Sequence, residues 1–303
     1  VAILMMFLFK RLIKNETIYK EPIPGKMPPI WIRLLLWTTC GLVSFFHGQN
    51  DGQKGVGLLM MILIAVLPGQ FSLDNSINLQ SEKAHINSIN SIVLQSDTSK
   101  FGSDEKKQYQ QIKKHSAHFN QNIGTAMFSS DIDIKNRFEL RKDVVKITKG
   151  AEKLLKSQNF AISSKDKKII IKEIKDSKKL VEYAPSWVII MISVCLGLGT
   201  MVGWKRIVKT IGEKIGKQHM SYAQGASAEL VASMGIGVAS AYGVPVSTTH
   251  MLSSGIAGSM VAKKGLKNLQ KGTIKTIALT WILTLPVTII LSGSLFLLFR
   301  AIL

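Results

Sequence analysis

Cysteine is scarce in this chain of 303 residues, which contains only Cys40 and Cys195. Each lies inside an apolar segment, and their positions do not follow the spacing of metal ligands. This argues against a disulfide framework and against a cysteine-ligated metal site. We expect both side chains to behave as small buried hydrophobic residues.

Aromatic and acidic residues are also few. Aromatics make up 7% of the chain, and 19 Asp and Glu stand against 39 Lys and Arg, for a net charge of +20. So basic a chain could bind nucleic acid, but no aromatic stacking motif accompanies its lysine clusters. Because these clusters stand beside apolar segments, they follow the pattern of cytoplasmic loops in membrane proteins. The sequence therefore predicts a lipid bilayer, and no nucleic acid, as a partner.

Hydrophobic residues are abundant, at 46% of the chain. The opening VAILMMFLFK places nine apolar residues before Lys10 and Arg11. This is the reverse of the order in a signal peptide, so we expect the tail of a membrane helix and a chain that is a fragment. Further apolar segments cover residues 186–204 and 277–299. Residues 219–243 are helix-like and rich in Gly, Ala and Ser, with Glu229, Ser233 and Ser240 on one helical face.

Residues 45–57, FFHGQNDGQKGVG, place polar side chains between two apolar runs. Each run has roughly 12 to 16 residues, short of the about 20 that a membrane helix needs. Two short runs around Gly, Asn and Asp are typical of a broken membrane helix at a transporter's binding site. Asp51 is the main candidate there, because a carboxylate at membrane depth is costly without a function.

Residues 71–184 differ sharply from the rest of the chain, because they are polar. Apolar residues recur at helical spacing, as in Leu140, Val144, Ile147, Ala151 and Leu154. The sequence predicts an extramembrane helical insert here, between membrane segments at 1–70 and 185–303. His115 and His118 could bind a metal, but no third ligand is evident, so a solvated helix face is favoured and no metal site is predicted.

The last membrane segments contain a second polar cluster, Val244-Pro245-Val246-Ser247-Thr248-Thr249-His250. Pro245 breaks a helix, and Ser247 and the two threonines can start the next one. Hydroxyls and free backbone N–H groups at a helix N-terminus bind oxyanions. Asp51 cannot attract an anion, so it implies a companion cation or proton.

Short basic loops at 10–26, 205–217 and 263–275 predict the cytoplasmic side of the membrane. The insert should then be periplasmic, because one span separates it from the loop at 205–217. Residues 219–262 start and end on the cytoplasmic side, so they predict a hairpin with a short or re-entrant second leg.

The pair of motifs HGQNDGQKG and PVSTTH, with TMVGWKRIVKTIGEKIGK and YAQG between them, resembles the inorganic phosphate transporter family. The resemblance covers residues 31–68 and 183 to the end, and is closest to bacterial low-affinity members. It implies an all-α, polytopic membrane protein with broken or re-entrant helices, built as one half of an inverted repeat. It also implies symport of phosphate, or a metal–phosphate complex, with H⁺ or Na⁺.

Carried over residue by residue, the resemblance implies phosphate binding by Asn50, Ser247, Thr248 and Thr249. It implies coupling-ion or proton roles for Asp51 and Glu229. Accessory candidates are His47, Gln53, Lys54 and His250. Gly52-Gln53-Lys54 departs from the family pattern, so Lys54 has two alternatives, a salt bridge with Asp51 or a contact with phosphate.

The sequence thus predicts a cation-coupled phosphate symporter of the inner membrane that is not an enzyme and has no cofactor. Its expected partners are phosphate, the bilayer and a missing N-terminal half, with a homodimer as an alternative to that half. A different class, a membrane-anchored interaction or sensor protein that acts through its insert, is the alternative function.

Overall fold

The computed structural model of the chain describes residues 1–23, 25–202 and 204–302. Its regular structure is helical, and the described residues pair as strands only in an isolated bridge between Gly216 and Leu269. Twelve α-helices cover the described residues in the following order: α1 Ala2–Leu12, α2 Ile30–Val66, α3 Pro68–Phe71, α4 Leu79–Leu94, α5 Ser103–Ile123, α6 Ile134–Lys156, α7 Ser164–Val181, α8 Ser186–Met201, α9 Trp204–Lys214, α10 Tyr222–Ala241, α11 Thr248–Lys264 and α12 Lys271–Ile302.

The helices divide into two compact units. One unit comprises Val1–Lys54 and Met191–Leu303, and the other comprises Gly55–Ile190. The predicted insert, residues 71–184, lies inside the second unit. The predicted all-α architecture with apolar, membrane-type helices is confirmed.

The second unit is a bundle in which α4, α5, α6 and α7 pack side by side. Three of these helices begin at residues whose side chains accept backbone N–H groups, which stabilises a helix N-terminus: Asn78 caps α4, Asp133 caps α6 and Ser163 caps α7. The periodic apolar residues of α6 are all buried, as predicted: Leu140, Val144, Ile147, Ala151 and Leu154. Helix α4 also contributes to this core, although its residues were not predicted as a helix.

The predicted solvated face holds only in part, because the His118 side chain is 48% exposed whereas that of His115 is 24% exposed. The Nδ1 atoms of His115 and His118 lie 2.8 and 2.6 Å from the two carboxylate oxygens of Asp143 on α6. The Asp143 side chain is only 3% exposed. Because a buried carboxylate needs partners, the pair of histidines on α5 stabilises its packing against α6.

In the first unit, α10 and α11 form the predicted hairpin. The side-chain amide of Gln224, near the start of α10, donates to the carbonyl of Ser259, near the end of α11, over 3.2 Å. Helix α1 packs against both, and its buried residues are Ala2, Met6 and Phe9. The apolar opening of the chain is therefore a helix seated on the hairpin.

Helix α2 runs without interruption through the predicted break at residues 45–57, all of which the structure describes. The break is therefore a wrong prediction for this segment. No proline lies between Ile30 and Val66, and a glycine inside a helix costs only about 1 kcal/mol. The 37 residues of α2 extend about 55 Å at 1.5 Å per residue, which exceeds the roughly 30 Å of a bilayer core.

Two of the described helices, α2 and α12, are long and apolar enough to cross a membrane. Helices α7 and α8 would pass the same test only as a pair bent by 73°. Helix α8 alone covers most of the span predicted at 186–204. The two cysteines, expected to be buried, are exposed on α2 and α8, because these helices present much of their apolar surface to the surroundings.

Candidate functional site

Asp51 lies in the middle of α2 between two basic side chains. One carboxylate oxygen is 2.8 Å from Nε2 of His47, and the other is 3.0 Å from Nζ of Lys54. His47 and Lys54 are four residues before and three residues after Asp51, so helical spacing places all three on one face. The Asp51 side chain is 27% exposed, and its two partners reduce the cost of holding its charge away from water.

Asn50 precedes Asp51 and faces α10. Its side-chain nitrogen donates to the Ser240 hydroxyl over 3.1 Å. Its side-chain oxygen is buried and has no hydrogen-bond partner among the described residues. An unpaired buried acceptor is costly, so this oxygen is free to receive a cation or a hydrogen-bond donor.

Helices α2 and α10 run in the same direction and in register. The Thr39 hydroxyl donates to the Glu229 carboxylate, and Asn50 pairs with Ser240; both pairs are 190 positions apart in the chain. Between them, Phe46 of α2 packs on Gly237 of α10. A Cβ atom at Gly237 would lie 2.7 Å from the Phe46 ring, so glycine permits this close approach.

Glu229 does not join Asp51. The eleven residues that separate Glu229 from Ser240 amount to about three helical turns, or roughly 16 Å. The structure therefore places the two predicted coupling residues at different depths along α2 and α10. Thr39 is the partner of Glu229.

The PVSTTH cluster forms a tight turn and the start of α11. Gly243 has φ +66°, a conformation that favours glycine, and it carries the chain away from the end of α10. Ser247 caps α11, and its hydroxyl accepts the N–H of His250 at 3.3 Å. The first N–H groups of a helix lack partners within it, so this turn presents an N-terminus suited to an oxyanion.

The three hydroxyls at this N-terminus differ in exposure. Ser247 and Thr249 are exposed, and Thr248 is buried. Successive residues of a helix point about 100° apart, so one ligand meets at most part of the set. His250 packs against the ring of Trp281 on α12, with ring centroids 4.0 Å apart.

Lys54 joins the two predicted clusters. Its ammonium group contacts Asp51 on α2 and also donates to the carbonyl of Val246 in the turn before α11. The structure thus brings together His47, Asn50, Asp51, Lys54 and the turn that leads into Ser247. Gln53 is exposed on α2, away from the face that carries Asp51.

A family model described as "Phosphate transporter family" matches residues 2–292. The chain belongs to this phosphate transporter family. The match includes the insert. The similarity to the family therefore covers more of the chain than residues 31–68 and 183 to the end, where the sequence motifs indicated it. The family is one of transporters, not of enzymes.

Several low-affinity inorganic phosphate transporters are similar to this family member. The protein of that name from Buchnera aphidicola of Acyrthosiphon pisum is 39% identical over 96% of this chain and 64% of its own length. PitA of Escherichia coli is 35% identical over 89% of this chain and 58% of its own length. The chain therefore spans about three fifths of the length of these relatives. A comparison with solved structures finds no match.

Sequence reasoning about this transporter-family chain missed Thr39, Trp281 and the Val246 carbonyl. It placed Ser240 on one face with Glu229 but did not pair it with Asn50. One signal was available, because Thr39 and Asn50 are separated by the same number of residues as Glu229 and Ser240. Equal spacing is what two parallel helices in register require.

Proposed function

We propose that this chain forms part of an inner-membrane symporter that carries inorganic phosphate together with H⁺ or Na⁺. The observation that carries the proposal is the position of Lys54, which contacts both Asp51 and the turn before α11. A carboxylate for a cation and a helix N-terminus for an oxyanion thereby lie beside one shared lysine. The names of the relatives support phosphate as the substrate.

In this proposal, phosphate oxygens bind at the start of α11, where Ser247 and Thr249 expose hydroxyls. Phosphate would compete with Asp51 for the Lys54 ammonium, because a doubly charged oxyanion attracts a cation more strongly than one carboxylate does. Release of Asp51 from Lys54 would let it take the coupling ion. Binding of the anion and of the cation would then favour each other.

The free side-chain oxygen of Asn50 favours a modified role for that residue. Amide oxygens bind cations, whereas phosphate needs donors, and one of the two side-chain N–H groups of Asn50 already donates to Ser240. We therefore place Asn50 with Asp51 on the coupling-ion side. Glu229, three turns away, would take part in a separate proton or ion step. A divalent metal would enter only as cargo, bound to phosphate.

The chain contains one copy of each motif, whereas the family resemblance implies two inverted halves. We propose that the complete site needs a second half, supplied by the segment that the longer relatives contain or by a second copy of this chain. Binding at the interface of two repeats is typical of such transporters.

The test is phosphate uptake by the chain joined to the remaining segment of a relative, in cells without other phosphate uptake. Asp51→Asn should abolish coupled uptake but keep membrane insertion, since losing an intramembrane charge favours insertion by about 2–3 kcal/mol. Asp97→Asn, at an exposed position of the insert, is the matched control and should transport normally. Normal uptake by Asp51→Asn at equal expression would remove Asp51 from the site.

A further inference from the structure

Helix α9 is amphipathic, and its apolar stripe is only half covered. Trp204, Val208 and Ile211 follow one face of the helix, and Ile215 continues the stripe just beyond its end. Ile211 and Ile215 pack in a core cluster with Ala228, Ile256 and Met260. Trp204 and Val208 remain 52% and 59% exposed. The end of α9 is thus anchored to the protein, whereas its start presents an uncovered apolar surface.

The uncovered part of α9 is flanked by positive charge. Lys205 and Lys209 are exposed and each immediately follows one of the two exposed apolar residues. The Lys205 ammonium lies 5.8 Å from the Trp204 ring centroid, so it stands at the border of the apolar stripe. An apolar stripe beside lysines is the surface of helices that lie in the interface of an anionic membrane.

The position of α9 in the chain favours a bilayer over a protein as the occupant. Helix α8 is apolar on all sides and has no charged residue, and α9 begins three positions after α8 ends. A helix that directly follows such a segment starts at the membrane surface. Tryptophan at this point is typical of the interface, where its ring meets the headgroups.

We propose that the start of α9 is a membrane anchor that binds anionic phospholipids of the leaflet in which α8 ends. Trp204 and Val208 insert among the acyl chains near the headgroups, and Lys205 and Lys209 contact the lipid phosphates. Lys214, on the other flank of the apolar stripe, is exposed and adds to the attraction, whereas Glu213, which is exposed on the far side of α9, opposes it. The anchor concerns the placement of α9 and does not depend on what the protein transports.

The first test uses a spin label at Val208→Cys, with Cys40 and Cys195 replaced by serine, in the full chain reconstituted in vesicles. Oxygen concentrates in the bilayer and a nickel chelate stays in water. The ratio of their collision rates with the spin label therefore reports the depth of the label in the membrane. We expect a higher oxygen-to-nickel ratio in vesicles that contain phosphatidylglycerol than in vesicles of phosphatidylcholine alone. A label at Glu213→Cys, on the other side of α9, is the matched control and should remain accessible to nickel in both.

The second test removes the lysines. Each lysine near an anionic surface contributes roughly fivefold to binding, so Lys205→Gln with Lys209→Gln should reduce the ratio of inserted to free α9 by about 25-fold. Added salt should produce a similar loss, because it screens the charges. Lys106→Gln with Lys107→Gln, an equal change at exposed positions of α5, should have no effect on the Val208 label.

Two outcomes would overturn the proposal. In one, the Val208 label reports the same depth in both kinds of vesicle or is unchanged by the loss of both lysines. In the other, the label is shielded only after a soluble protein extract is added, which would make the occupant a protein. Uptake of phosphate is not measured in either experiment, so a failure of the anchor and a failure of transport are distinguished.

Discussion

The side chain of Asn50 donates a hydrogen bond of 3.1 Å to Ser240 and leaves its own oxygen buried without a partner among the described residues. Asp51, the next residue, has both carboxylate oxygens engaged by His47 and Lys54. Two neighbouring residues of α2 therefore differ in their hydrogen bonding: the Asn50 side-chain oxygen has no partner in the described part of the chain, whereas both carboxylate oxygens of Asp51 are paired. In the proposed symport, a coupling ion that reaches Asn50 first would meet Asp51 only after Lys54 has moved.

The threonines of α11 should contribute to phosphate affinity. Replacing the exposed Thr249 by the nearly isosteric valine removes a hydrogen bond to a charged ligand, at a cost of about 1.5–3 kcal/mol, or roughly ten- to a hundredfold in affinity. The same change at the buried Thr248 should have a smaller effect. The measurement is the phosphate concentration for half-maximal uptake. Thr284→Val on α12 is the control, since its hydroxyl bonds within its own helix to Thr280. Unchanged affinity in both α11 variants would contradict the assignment.

Gly237 should be essential for the packing of α10 against α2. Gly237→Ala places a methyl group 2.7 Å from the Phe46 ring, and overpacking of this kind costs about 1–3 kcal/mol. Thermal unfolding of the full chain in detergent should show the loss, and Phe46→Leu in the same chain should restore part of it. Gly225→Ala is the control on the same helix, where the added methyl meets no atom within 4 Å. Equal melting of Gly237→Ala and wild type would refute this close contact.

The stability of the insert should fall as the pH rises past the range in which Glu82 ionises. Burial raises the pKa of Glu82 above its ordinary value, and one of its carboxylate oxygens is buried without a hydrogen-bond partner among the described residues. The folded insert therefore binds this proton more tightly than the unfolded chain does. The resulting stabilisation is complete below the ordinary pKa and is lost as pH rises through the raised one.

Glu82→Gln should remove this pH dependence and slow hydrogen exchange in α4 and α7 at neutral pH. The measurement is amide exchange in the full chain at several pH values. Glu139→Gln, at an exposed position of α6, is the control and should leave the pH profile unchanged. A Glu82→Gln variant with the pH profile of the wild type would show that another group is responsible.

The orientation predicted from the lysine loops can be tested with cysteines. The native Cys40 and Cys195 are exposed, so both must first be replaced by serine. A cysteine at the exposed Ser99 of the insert should react with an impermeant thiol reagent added outside spheroplasts, and one at the exposed Lys267 should not. The reverse pattern would invert the predicted orientation. Equal reaction at both sites in intact and in lysed cells would indicate that the reagent leaks into the cells, and a cytoplasmic marker protein controls for this leakage.

The sequence alone was sufficient to predict that the insert is helical and to identify the two polar motifs. Helical periodicity is local, so the spacing of Leu140, Val144 and Ile147 predicted both the helix α6 and its buried face. Pro245 and Ser247 likewise marked the turn and the start of α11, because proline ends helices and serine caps them. The salt bridge between Lys54 and Asp51, one of the two alternatives raised where Gly52-Gln53-Lys54 departs from the family pattern, is present in the structure.

Only the tertiary structure decided the course of α2 and the partners of its polar residues. The glycines around Asp51 predicted a break, but glycine lowers helix propensity by too little to break a helix that packs along α10. Asn50 and Ser240 are 190 positions apart, as are Thr39 and Glu229. No local pattern specifies such pairs, because they depend on the direction and register in which two helices pack. The same reason hid Asp143 as the partner of His115 and His118.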